Sequence, residues 1–115
     1  MCNSKFNIDA VNAPIKDHPI ASDILKELDN NKATEVKVYK GGEITGFMIV
    51  ACSESGKHSK SLANLITDIL KQQGVDHHVE GYDQANWILI DLYDFMVHIF
   101  RPEVRDYYQV DSLWG

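Results

Sequence analysis

The chain has 115 residues, 44% of them hydrophobic, enough for one domain with a real core and too few for two. Its formal charge is −6, from 11 basic and 17 acidic residues. A surface that neutralises many phosphates needs clustered Lys and Arg, so extensive direct contact with nucleic acid is excluded and a basic protein is the more natural partner.

Residues 1–17 show no clean period and read as a loose lead-in, leaving 18–115 as the domain. From Pro19 the apolar residues Ile20, Ala21, Ile24, Leu25 and Leu28 recur at helical spacing; Pro19 suits a first turn, Asp17 a cap, and the helix runs to about Asn30. Val36 and Val38 alternate with Glu35, Lys37 and Tyr39, the pattern of a half-exposed strand near a sheet edge, and Gly41-Gly42 supplies a turn. Residues 47–52, Phe-Met-Ile-Val-Ala-Cys, are continuously apolar, as expected of a central strand in the middle of the sheet, covered on both faces.

A polar connection, Ser53-Glu54-Ser55-Gly56-Lys57-His58, leads into the most regular helix. Leu62, Leu65, Ile66, Ile69 and Leu70 follow helical spacing there, and Gly74 sits where a glycine C-terminal to the cap belongs. A short strand within 75–80 and a turn over 81–85 come next. Residues 87–100, Trp-Ile-Leu-Ile-Asp-Leu-Tyr-Asp-Phe-Met-Val-His-Ile-Phe, then read as two strands joined by Tyr93-Asp94. Antiparallel pairing sets Leu92 opposite Phe95, Ile90 opposite Val97 and Ile88 opposite Ile99, an unbroken apolar core face. The other face pairs Asp91 with Met96, Leu89 with His98 and Trp87 with Phe100. Arg101-Pro102-Glu103 starts a short helix, and the tail with Leu113 and Trp114 should dock on the body. The expected fold is a single mixed α/β domain: a mixed sheet of about five strands, two main helices and a short C-terminal helix.

Cys2 and Cys52 are the only cysteines. Their spacing fits neither zinc nor a disulfide framework, which reads as a thiol-reduced, cytoplasmic chain. No apolar signal core and no run of roughly 18 apolar residues is present, so a soluble protein is expected.

Gly56-Lys57 before a helix lacks the earlier Gly and the following Ser or Thr of a phosphate-binding loop, so Ser53 or Ser55 is better read as a helix cap. His77 and His78 are adjacent, which on a strand points them to opposite faces, and no metal-ligand spacing accompanies them; neither metal nor cofactor is expected. Ser59, His98 and Asp94 have neither the spacing nor the elbow motif of a hydrolase triad. Asp91 and Asp94 could hold a divalent ion for phosphoryl transfer, which leaves a small metal-dependent nucleotidyltransferase-like enzyme as the alternative function. Against it, a turn Asp commonly bonds its own backbone, and no third acidic ligand or Gly-Ser loop accompanies the pair. Trp87, Leu89, Met96 and Phe100, spotted with Asp91 and His98, have the composition of an interface core instead: aromatic and Met anchors with few charges.

Trp87-Ile-Leu-Ile-Asp91, then Asp94, then Val97-His98-Ile-Phe100, followed by Pro102-Glu103-Val-Arg105-Asp-Tyr-Tyr108 and Leu113-Trp114, resembles the signature of the ribosomal silencing factors, the Iojap-like family. The resemblance spans roughly residues 20–114. It implies an α/β domain of nucleotidyltransferase-like topology without the catalytic motif, and hence no enzyme. It also implies binding to the large ribosomal subunit through ribosomal protein fourteen, which blocks subunit association and represses translation when nutrients are scarce. The partner-binding residues expected from the second hairpin face and its turn are Trp87, Leu89, Asp91, Tyr93, Asp94, Met96 and His98. Such a face also suits self-association, so a homodimer of the free protein is expected to overlap the partner site. Two departures stand out: Gly46-Phe47 replaces the family's Asp-Tyr, and Tyr93 replaces a Gly, where a tight primed turn would ask for a positive φ.

Overall fold

The computed structural model describes residues 19–40, 47–92 and 95–104. The lead-in with Asp17, the Gly41-Gly42 turn, Gly46, Tyr93, Asp94 and the tail beyond Val104 lie outside the described residues.

Helix α1 (Pro19–Asn30) begins at the predicted proline and buries Ala21, Ile24, Leu25 and Leu28, one stripe at helical spacing. Lys32 then takes a left-handed φ of 70°, and the Ala33 amide donates to the Leu28 carbonyl at 3.0 Å. Strands β1 (Thr34–Lys40) and β2 (Phe47–Cys52) pair antiparallel, with a register shift between Thr34 and Lys37. All six residues of β2 are buried, as its unbroken apolar sequence requires.

Helix α2 (Gly56–Gln72) is capped at both ends. The Ser55 hydroxyl accepts from the His58 amide at 3.1 Å, which settles the cap on Ser55 rather than Ser53. At the other end Gly74 has φ +68°. Its amide donates to the Lys71 carbonyl at 3.2 Å and that of Val75 to Leu70 at 2.9 Å, closing the last turn. Strands β3 (His77–Glu80), β4 (Trp87–Leu92) and β5 (Phe95–Phe100) complete a five-stranded sheet in the order β1-β2-β5-β4-β3. The β2–β5 contact is parallel and the others antiparallel. Residues 102–104 are helical, with Pro102 first.

The hairpin has the register expected from alternation: Trp87 faces Phe100, Ile88 Ile99, Leu89 His98, Ile90 Val97 and Asp91 Met96. Ile88, Ile90, Val97, Ile99, Ile49 and Ala51 form one core cluster with Ile24, Leu25 and Leu28 of α1 and Leu62, Ile66 and Leu70 of α2. Both helices therefore cover the same side of the sheet. The central position belongs to β5 because β2 pairs with it rather than with β4.

Cys52 is buried on β2, and Cys2 lies outside the described residues.

The turn from β3 to β4 rests on Gly81, at φ +79°, where a Cβ would collide with the Trp87 carbonyl oxygen. Gly74 is also left-handed but has open space around it. Gly81→Ala should therefore destabilise by more than the roughly 1 kcal/mol expected of Gly74→Ala, because a backbone collision adds to the conformational cost. Urea unfolding of the two variants beside wild type measures the difference.

Candidate functional site

Residues directly opposite each other on paired strands share a face, so the registers place the open side of the sheet in rows. One row runs Tyr39, Met48, Met96, Asp91, His78 from edge to edge, and the next runs Lys37, Val50, His98, Leu89, Glu80. A third holds Cys52, Phe100 and Trp87. Exposure is graded across these rows. Val50 and Phe100 are fully buried, with Tyr39, Trp87 and Val104 packed against them, while Trp87, Leu89, Asp91 and Met96 are half-buried and Lys37, His78 and Glu80 are exposed.

Four of the predicted partner-binding residues thus form one continuous surface: Trp87, Leu89 and Asp91 on β4 and Met96 on β5. Tyr93 and Asp94 lie outside the described residues. His98 shares the face but is only 5% exposed, because it lies on the central strand between Val50 and Leu89. Its Nδ1 accepts a hydrogen bond from Trp87 Nε1–H at 3.0 Å, which assigns the ring proton to Nε2 in the neutral tautomer. Asp91 lies between Met96 and His78. Among the described residues none donates a hydrogen bond to its carboxylate, which lies half-exposed. Next to it the exposed His78 and Glu80 side chains approach to 3.7 Å.

The other chemical readings separate in space. His77 pairs with Leu92 and His78 with Asp91, on opposite faces. Ser59 is buried in α2, bonded to Ser53, on the side of the sheet away from His98. Among the described residues no three His, Cys, Asp or Glu side chains converge to hold a metal ion, and no helix is long and apolar enough to cross a membrane. A groove missed by sequence reasoning, of about 440 Å³, runs beside Trp87 and is lined by Gly81, Gln84, Asn86 and Val104. Its walls come from the turn before β4 and the short helical stretch after β5, where no periodicity could have marked them.

Burial lowers the His98 pKa from 6.5 to about 4, since desolvation disfavours the charged ring. The unfolded chain therefore takes up this proton first. Stability is unaffected above about pH 6.5, falls as the pH drops through the window from 6.5 to about 4, and levels off below it. Between pH 7 and 5 the wild type should lose roughly 2 kcal/mol more than His98→Asn, at about 1.4 kcal/mol per pH unit below 6.5. Denaturant titration of both proteins at the two pH values checks this.

A family model described as "Ribosomal silencing factor during starvation" matches residues 14–115. The ribosomal silencing factor of Chromobacterium violaceum is 36% identical over 97 residues, covering 84% of this chain and 80% of that one. A mouse protein named for mitochondrial assembly of the ribosomal large subunit is 24% identical over 74 residues, 61% of this chain and 32% of its own. Among solved structures, a Chromobacterium violaceum protein superposes with TM-score 0.78 at 34% identity, covering 84% of each chain. A Bacillus halodurans protein gives TM-score 0.75 at 30% identity, covering 84% of this chain and 94% of that one. With its hairpin signature, mixed five-stranded sheet and near full-length match, the chain belongs to the ribosomal silencing factor family.

Proposed function

We propose that the open face of the sheet binds the large ribosomal subunit through ribosomal protein fourteen, and that the bound domain sterically hinders association of the small subunit. Translation is thereby repressed when nutrients are limiting. The role is one of occupancy in the cytoplasm and needs no catalysis. The observation that carries this reading is that α1 and α2 cover the same side of the sheet, which leaves Trp87, Leu89, Asp91 and Met96 half-exposed together on the other. An aromatic and a Met beside one carboxylate make a surface with few charges to desolvate, of the kind that concentrates binding energy in a few residues. The formal charge of −6 suits a basic ribosomal partner and speeds encounter with it. The mouse relative, named for mitochondrial assembly of the ribosomal large subunit, supports association with that subunit.

The test uses strand alternation. Trp87→Ala and Asp91→Ala should each weaken binding to isolated large subunits by about 2 kcal/mol or more while leaving the fold intact, the range for central interface residues and desolvated charges. Ile90 is fully buried on the helix side, so Ile90→Ala should cost about 2–5 kcal/mol of stability and impair binding only through unfolding. Cosedimentation and melting temperature for the three variants decide it. Normal binding by the first two variants, or binding lost only with the fold, sinks the assignment.

A further inference from the structure

The indole of Trp87 is held from two directions. It leans on Phe100, the residue opposite it on β5, with ring centroids 4.7 Å apart and planes tilted by 44°. Its Nε1–H donates to His98 Nδ1 at 3.0 Å, along the diagonal of the hairpin. His98 lies parallel to Phe100, with centroids 6.0 Å apart and 6° between the planes, so the three rings form one unit. Packing on Phe100 alone would leave the indole free to swing about its broad χ2 well. A hydrogen bond at the nitrogen removes that freedom. The acceptor has to be an unprotonated ring nitrogen, and burial in the sheet keeps the imidazole neutral. At 5% exposure His98 shows too little surface to engage a partner itself. Its influence reaches the surface through Trp87, which is half-exposed.

We propose that His98 is a positioning residue of the partner face, holding the Trp87 indole in its binding orientation before the partner arrives. This rests on the reading that the open face binds the large subunit. A preset ring spares the complex the ordering of a mobile side chain, worth roughly 2- to 10-fold in affinity. The role accounts for a polar ring on a central strand among apolar neighbours, since no aliphatic residue there could accept the indole proton.

Two readouts test it together. In the ¹⁵N-labelled wild type, a scalar coupling across the N–H···N bond should link Trp87 Nε1 to His98 Nδ1, with the indole signal assigned through Trp87→Phe. His98→Leu removes the acceptor. It should speed exchange of the Trp87 indole proton and weaken cosedimentation with large subunits roughly 2- to 10-fold, with the circular dichroism unchanged. His98→Asn, which returns an acceptor oxygen near the Nδ1 position, should restore both. Absence of the coupling overturns the proposal, and because it is read in the wild type this holds whether or not a variant folds. Release of the indole in His98→Leu with undiminished binding also overturns it, provided Trp87→Ala binds weakly. If Trp87→Ala itself binds normally, the partner-face reading fails and the proposal falls with it, an outcome the two variants tell apart.

Discussion

A slip of one residue of β4 against β5 would turn the displaced strand over. Ile88 and Ile90 would turn away from the helices, and Asp91 would be driven toward the stripes of α1 and α2. Each exposed aliphatic side chain would forfeit about 1.5–3 kcal/mol, and a carboxylate buried without a partner would add a cost of several more. Competing registers are thus excluded by a margin comparable to the whole stability of a small domain. The hairpin's alternation is the constraint on which the rest of the molecule depends.

Given that register, the parallel contact of β2 with β5 carries the same division across the sheet. Ile49 and Ala51 join the helix side, while Met48, Val50 and Cys52 join the other. Helix α2 leaves the end of β2 through a short polar turn, where the Ser53 amide donates to the Phe100 carbonyl at 2.8 Å and extends the β2–β5 ladder by one residue. Ser59 in the first turns of α2 bonds the buried Ser53 hydroxyl, so the strand end and the helix start are satisfied by each other. The outcome is one sealed layer of helices and one face whose centre is closed at Val50 and Phe100 and whose β4 side is half-open. Residues of that open side lie outside the helical core.

The polar groups of this face follow the same logic. Asp91 lies half-exposed on β4, whereas His98, one strand further in, gives up its charge to burial and serves as an acceptor. Neighbouring strands thus turn two ionisable residues to different ends: one carboxylate open to solvent, one neutral ring fixed inside. The Trp87 side chain bridges these environments, with its nitrogen tied inward and part of its ring at the surface.

Much of this was legible in the sequence because it is written in local periods. The stripe Ile24, Leu25, Leu28 defined α1; Ser53 or Ser55 at one end and Gly74 at the other bounded α2 by cap chemistry; alternation in 87–92 and 95–100 gave the five observed pairs of the hairpin, and with them which residues share a face with Trp87. What alternation could not distinguish was depth. Leu89 and His98 oppose each other on the same face, yet one is half-exposed and the other buried, because β5 takes the centre of the sheet by pairing with β2 and β4 takes the flank. The collision that requires glycine at 81 escaped sequence reading for a related reason. The sequence by itself determined elements, faces and family; only the tertiary structure decided that neither helix covers the second face and how deeply each of its side chains lies. Periodicity records the neighbours a residue has along its own strand, whereas burial depends on strands and helices brought beside it from distant parts of the chain.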